Sequence, residues 1–183
     1  MPRSAGLVMI DRDGVINEDS GEFIKSVAEW RPIKGSLEAI AALSRAGWRV
    51  AVVTNQSGVG RGLYDEATLA AIHRHMHDRV RAAGGELAGV YYCPHLPDDD
   101  CECRKPRPGL FRALERELAI SVRGAPYIGD RISDVEAAEG VGAQPMLVRT
   151  GTGAATEALI VGRGVPVFDD LWAAARSLLD DTR

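Results

Sequence analysis

Short apolar runs alternate along the chain with stretches whose apolar positions recur every three or four residues. The runs predict strands over 6–10, 49–53, 88–92, 125–128 and 144–148, with a weaker one over 165–168. A first helix is expected over 36–46, with Leu37, Ile40 and Leu43 on one face and Gly47 as its stop. A second, over 65–83, has Asp65 as N-cap and a stripe of Leu69, Ile72, Met76 and Val80 before Gly84 and Gly85. Pro108 stands in the first turn of a third helix that buries Leu110, Phe111, Leu114 and Leu118. Ser133 and Glu136 have capping-box spacing at the start of a fourth, which ends near Gly140. A last helix over 170–180 uses Leu171, Ala175, Leu178 and Leu179. Alternation of this kind predicts an α/β fold, a mostly parallel sheet with helices on both faces.

With 183 residues and no repeat or low-complexity linker, the chain is expected to form one domain over 1–183. The hydrophobic share of 45% and charged share of 26% are those of a globular protein, and the net charge of −4 offers no footprint for nucleic acid. No apolar run approaches the ~20 residues of a membrane span. Met1-Pro2-Arg3-Ser4 leads directly into the first strand, leaving no room for a signal peptide. The expectation is a cytoplasmic monomer whose partner is a small molecule, with neither nucleic acid nor membrane.

In open parallel sheets the ligand lies beyond the carboxyl ends of the strands. Those positions carry Asp11 and Asp13, then Thr54, Asn55, Gln56 and Ser57, then Arg104 and Lys105, then Gly129-Asp130 with Asp134. A carboxylate at Asp11 can attack phosphorus, and Asp13 can protonate the leaving oxygen and later deprotonate water. Clustered carboxylates facing a phosphate call for a hard cation, so Asp11 and Asp130 are expected to share Mg²⁺. The Thr54 hydroxyl and the Lys105 ammonium would hold the phosphoryl oxygens. Lys105 is one of only three lysines among 22 basic residues, and its strand-end position suggests that a compact charge is wanted there. Any one of these elements could be a solvated turn, but four in order, each after its own strand, predict phosphoryl transfer.

Cys93, His95, Cys101 and Cys103 offer three thiolates and one imidazole, a closed set that predicts structural Zn²⁺ in a loop over about 93–103. Such a cation would fold the loop and fix Arg104 and Lys105. Asp98, Asp99 and Asp100 read as a solvated turn. His73, His75 and His77 cannot converge on a metal, because helical residues two apart point about 200° away from each other; they are expected on the surface beside the apolar stripe.

Asp11-x-Asp13, Thr54-Asn55, Lys105 and Gly129-Asp130 with Asp134 resemble the four motifs of the haloacid dehalogenase superfamily, over nearly the whole chain. The resemblance implies a Rossmann-like core, an aspartyl-phosphate intermediate, and Mg²⁺ held by the Asp11 carboxylate, the Asp13 backbone carbonyl and Asp130. A second aspartate two residues after the nucleophile marks the family's phosphatases; position 15, often threonine in them, is Val15 here. More narrowly, Thr54 to Gly62, Cys93-Pro94-His95, Cys101-x-Cys103-Arg104-Lys105-Pro106 and Val148 to Gly151 resemble a subfamily of heptose-1,7-bisphosphate 7-phosphatases and histidinol-phosphate phosphatases. Carried over, Asp19, Ser20, Gly21, Glu22, Thr54, Asn55, Gln56, Ser57, Arg104, Lys105 and Arg131 would meet substrate.

The intervals after Gly14 and after Ser57 are too short for a separate cap domain, so the site is expected to be open and shaped by loops 17–34, 57–64 and 94–108. A second phosphate would need cations at the rim, where Arg61, Arg104, Arg107 and Arg131 are expected. The resemblance implies hydrolysis of the C7 phosphate of a heptose 1,7-bisphosphate; histidinol phosphate, whose amine would favour Glu18, Asp19 and Glu22 and whose branch the five-residue spacer in the zinc loop resembles more, is the runner-up. A phosphoaspartate receiver would place its aspartate after the third strand, where Cys93 stands. A zinc-organised binding module would leave Asp11, Asp13 and Asp130 unexplained.

Overall fold

The computed structural model describes residues 6–180; Met1 to Ser4, read above as leaving no room for a signal peptide, lie outside them. Six parallel strands form one sheet in the order β3-β2-β1-β4-β5-β6. They are β1 (Leu7–Ile10), β2 (Arg49–Asn55), β3 (Gly89–Cys93), β4 (Pro126–Gly129), β5 (Gln144–Val148) and β6 (Val167–Phe168). The helices are α1 (Ser36–Arg45), α2 (Glu66–Ala82), α3 (Gly109–Leu118), α4 (Ile132–Val141), α5 (Gly153–Leu159) and α6 (Leu171–Asp180).

Strand periodicity divides the core in two. Val8 and Ile10 of β1 pack with Ile40 and Leu43 of α1, Ile72 and Met76 of α2 and Leu171 of α6. Leu7 and Met9, pointing the other way, meet Phe111 and Leu114 of α3 and Ala137 and Ala138 of α4. The chain winds outward from β1 through β2 to β3, then returns to place β4 on the other side of β1. The strand order reverses at β1 and β4, which opens a crevice there. The loop between β1 and α1, whose one regular element is a 3-10 turn at Val27–Glu29, contributes Asp19, Ser20, Gly21 and Phe23 to its lining.

Local chemistry matches expectation at α2, where Asp65 accepts from the Thr68 N–H at 2.7 Å. It differs at α4. The helix starts at Ile132, and the Asp134 carboxylate, not Ser133 and Glu136, accepts from the backbone N–H groups of Asp130 and Arg131 at 3.1 and 3.0 Å. β2 runs two residues past the expected end, so Thr54 sits inside the strand, and β3 extends to Cys93, which pairs with Asn55. α5 was not foreseen. Its seven residues are mostly small, which erases the apolar period, and it packs so closely that a Cβ on Gly153 would collide with the Val148 carbonyl.

Candidate active site

The end of β1 delivers Asp11, whose N–H is tied across the ladder to the Ile128 carbonyl of β4 at 2.9 Å. Burial, and the negative charges of Asp134 and Asp130, push its carboxyl up to about 8, although Lys105 opposes them. Lys105, itself buried, places Nζ 3.2 Å from Asp11 Oδ1 and 2.7 Å from Asp134 Oδ1. It also donates to the Val53 carbonyl at 3.0 Å and the Tyr127 hydroxyl at 2.6 Å. Desolvation works against its charge, yet the two carboxylates more than compensate and raise its pKa. Asn55 grips the backbone of Lys105 from both sides, accepting from its N–H at 3.0 Å and donating to its carbonyl at 3.2 Å.

Asp13 has a different environment two residues on. Burial pushes its carboxyl up, but Arg12 and hydrogen bonds from Asn17, Arg12 and Gln56 outweigh burial and hold it below the usual range. Gln56 Nε2 donates both to Asp13 Oδ2 at 2.8 Å and to Thr54 Oγ1 at 3.0 Å. Thr54, Gln56 and Asp13 are thereby fixed as one unit.

Asp130, after β4, is fully buried, and burial together with Asp134 raises it to about 6. Its Oδ2 accepts from the Thr152 N–H at 2.8 Å and the Thr152 hydroxyl at 3.0 Å, while Oδ1 has no hydrogen-bond partner. Gly14 and Gly151, both at positive φ, let the backbone close over this carboxylate; a Cβ on either would strike it. Carboxylate oxygens of Asp11, Asp130 and Asp134 lie within 4.8 Å of one another. Asp134 is already taken up by Lys105 and two backbone N–H groups, but the buried acids Asp11 and Asp130, with raised pKa values and an orphaned oxygen on Asp130, offer hard-oxygen ligands that fit Mg²⁺.

These groups open onto a cavity of about 480 Å³ lined by Asp11, Asp13, Asp19, Ser20, Gly21, Thr54, Asn55, Gln56, Ser57, Arg104, Lys105 and Arg131, and also by Phe23, Arg61, Ser133 and Thr152. Asp130 sits behind the wall. Glu22 is not in the lining, and its carbonyl accepts from Lys25 Nζ at 2.8 Å. Arg131 pairs with Asp19 at 2.6 Å, and Arg61 lies over the Phe23 ring with 5.6 Å to the centroid. Arg107, expected at the rim, is absent from it. It instead braces the neighbouring loop through the carbonyls of Asp100 and Cys101 and the Asp100 carboxylate.

That loop brings Cys93, His95, Cys101 and Cys103 together. The separations are 3.5 Å for Cys93 Sγ to His95 Nδ1, 3.2 Å for His95 Nδ1 to Cys103 Sγ, and 3.6 Å for Cys101 Sγ to each other sulfur. Tetrahedral zinc bound to sulfur at ~2.3 Å and nitrogen at ~2.0 Å sets such edges at about 3.5–3.8 Å, so the set fits zinc. Cys101 is drawn down to about 7: burial, the largest single influence, pushes it up but is outweighed together by the Arg104 and Cys103 N–H groups and the neighbouring thiols. Burial instead pushes Cys93 up to about 12. Asp99 accepts from the Leu96 N–H at 2.7 Å, the turn that the sequence suggested.

A family description, HAD-hydrolase-like, matches residues 102–174. The chain is 50% identical to the D-glycero-beta-D-manno-heptose-1,7-bisphosphate 7-phosphatase of Pseudomonas aeruginosa, over 96% of this chain and 99% of that protein. The chain belongs to the haloacid dehalogenase-like phosphatases. The protein of the same name from Bordetella bronchiseptica is 47% identical over 96% of this chain and 98% of its own length. A solved structure, D,D-heptose 1,7-bisphosphate phosphatase from B. bronchiseptica complexed with magnesium and phosphate, superposes with a TM-score of 0.92 at 46% identity. The match covers 96% of this chain and 98% of that one.

Several members of this haloacid dehalogenase-like site escaped the sequence reading. Arg12 is fully buried beside Asp13; Tyr127 carries a hydroxyl to Lys105; Tyr64 donates to Gln56 Oε1 at 3.0 Å; Thr152 caps Asp130. An arginine between two aspartates reads as an exposed charge, and the only signal to the contrary was its place at the end of a buried run. His73 is no bystander either: its Nε2 lies 3.2 Å from Arg12 Nη1, and burial and that charge lower its pKa to about 3.

Proposed function

We propose that this chain removes the C7 phosphate of D-glycero-D-manno-heptose 1,7-bisphosphate by two in-line transfers. The observation that carries the reading is the convergence of Asp11, Asp13 and Lys105 on one cavity in a chain half identical to enzymes of that name. Asp11 attacks phosphorus to form an acyl phosphate, while Asp13, ionised in the empty site but able to take up a proton once the negative phosphate lies beside it, gives that proton to the departing sugar oxygen. Water, deprotonated by Asp13, then attacks phosphorus and frees Asp11. Lys105 and Thr54 hold the phosphoryl oxygens while charge shifts among them. Mg²⁺ bound by the Asp11 and Asp130 carboxylates and the Asp13 carbonyl would keep Asp11 ionised and offset phosphate charge. In the same reading, zinc on Cys93, His95, Cys101 and Cys103 is structural, and the chain works as a cytoplasmic monomer of one domain.

Arg61, Arg104 and Arg131 supply cations at the rim for the distal phosphate. Asp19, which an amine substrate would want free, is already paired with Arg131, and Glu22 is outside the lining; both points weigh against histidinol phosphate. The test is phosphate release under Mg²⁺ from a panel of sugar bisphosphates together with histidinol phosphate. The heptose bisphosphate is expected to have the highest kcat/KM, and a preference for histidinol phosphate would overturn the choice.

A further inference from the structure

Arg12 stands between the two reactive aspartates but does not line the cavity, and its side chain is fully buried. A buried guanidinium that turns away from a phosphate site has another task. Its Nε donates to Asp13 Oδ1 at 2.9 Å and its Nη2 to Oδ2 at 3.0 Å, a fork that defines the plane of the carboxylate. Nη1 points the opposite way, toward His73 Nε2 on α2. The low proton affinity of His73 keeps that ring neutral, so Nε2 serves as an acceptor. Tyr92 packs edge-on against the ring with 5.5 Å between centroids, and its hydroxyl is tied to Glu66 of α2 at 2.9 Å. A continuous path of contacts thus runs from the second helix to the back of Asp13.

We propose that Arg12 and His73 are positioning residues, with His73 anchoring the Arg12 fork so that the Asp13 carboxylate meets the leaving oxygen of the substrate. This inference rests on the hydrolase reading above. It predicts a defect that depends on the leaving group. A sugar alkoxide must be protonated as it departs, whereas a nitrophenolate leaves without a proton.

The experiment compares kcat/KM for a sugar bisphosphate and for nitrophenyl phosphate under saturating Mg²⁺, because kcat/KM reports steps up to phosphorylation of Asp11. His73→Phe, which leaves Arg12 Nη1 without its acceptor, should lower the sugar value by about 10-fold, a fraction of the general-acid contribution. The aryl value should stay within about 2-fold. His73→Gln, whose Oε1 can accept from Arg12, should recover most of the sugar activity. Equal loss on both esters, no loss on either, or failure of His73→Gln to recover would overturn the positioning role. No phosphate release from either ester by the unaltered chain would remove the hydrolase reading itself, and the positioning role with it.

Discussion

The carboxylate pocket and the thiolate loop meet at Arg104 and Lys105, yet they are held in different ways. Asp11 and Asp130 follow adjacent strands, and apart from Lys105, which the loop supplies, the groups that hold their carboxylates come from the strand ends and the turns that follow them. The segment between β3 and α3 contains no helix or strand, and what organises it is the four candidate ligands, the Arg107 brace on Asp100 and Cys101, the Asn55 grip on Lys105 and a few turns. The pocket is therefore largely a product of topology, whereas the loop, in the reading proposed above, would be a product of coordination. Damage to the first should stop the chemistry while sparing the fold, and damage to the second should reach the chemistry only through the residues that the loop presents.

The sharpest separation comes from Asp11→Asn, which removes the proposed nucleophile and should lower kcat by roughly 10³-fold or more while leaving far-UV and thermal behaviour near those of the parent. Turnover that survives this change would mean another group attacks phosphorus. Asp13→Asn should cost ~10²- to 10⁴-fold in kcat with Mg²⁺ affinity retained, since only the proton donor is lost and the backbone carbonyl remains. An unchanged kcat would assign acid and base to some other group.

Zinc removal probes the opposite side of the comparison. Lys105 has restraints of its own in Asn55, Val53 and Asp134, whereas Arg104 is tied to the loop through the carbonyl of His95 at 3.4 Å. Cys101→Ser or a zinc chelator should therefore raise KM by about 10-fold and lower kcat less, with no recovery on adding Mg²⁺. Full activity in protein shown by metal analysis to hold no zinc would end the positioning role of the loop.

What the sequence disclosed follows the same division. Polar residues directly after apolar runs have few other uses, and Asp11, Asp13, Thr54 and Asp130 were legible for that reason; Lys105, in a loop twelve residues past β3, was legible from the scarcity of lysine. So were the strands and the long helices, from period alone. The residues that hold these groups were not. Arg12, His73, Tyr64 and Tyr127 act through contacts across 8 to 74 positions, which no local pattern encodes. Arg107, expected on or beside the rim, stays out of the lining because the turn at Asp100 draws it into the loop. α5 was missed because small residues pack closely without periodicity.

The smallest expected effect is on stability against pH, and it reports the pocket before Mg²⁺ arrives. In the metal-free fold Asp11 titrates at about 8 and Asp130 at about 6, against an ordinary value of 3.8. Between those limits the folded chain holds protons that the unfolded chain has released, so stability falls as pH rises from about 4 toward about 8. Asp13, with its lowered pKa, contributes stability that is lost only as the pH drops below the ordinary carboxylate value, and the raised Lys105 contributes until the pH climbs past the ordinary lysine value. Neither changes sign inside the window. If Mg²⁺ binds the ionised acids as proposed, its stabilisation should grow across the same range. Melting temperatures taken from about pH 5 to about pH 8 should decline by a few degrees in a magnesium chelator that leaves zinc bound, and the gap between Mg²⁺ and chelator should widen, at ~2–4 °C per kcal/mol for a chain of this size. A flat metal-free profile would mean that Lys105 alone neutralises the acids, and that the pocket is organised without any need for the cation.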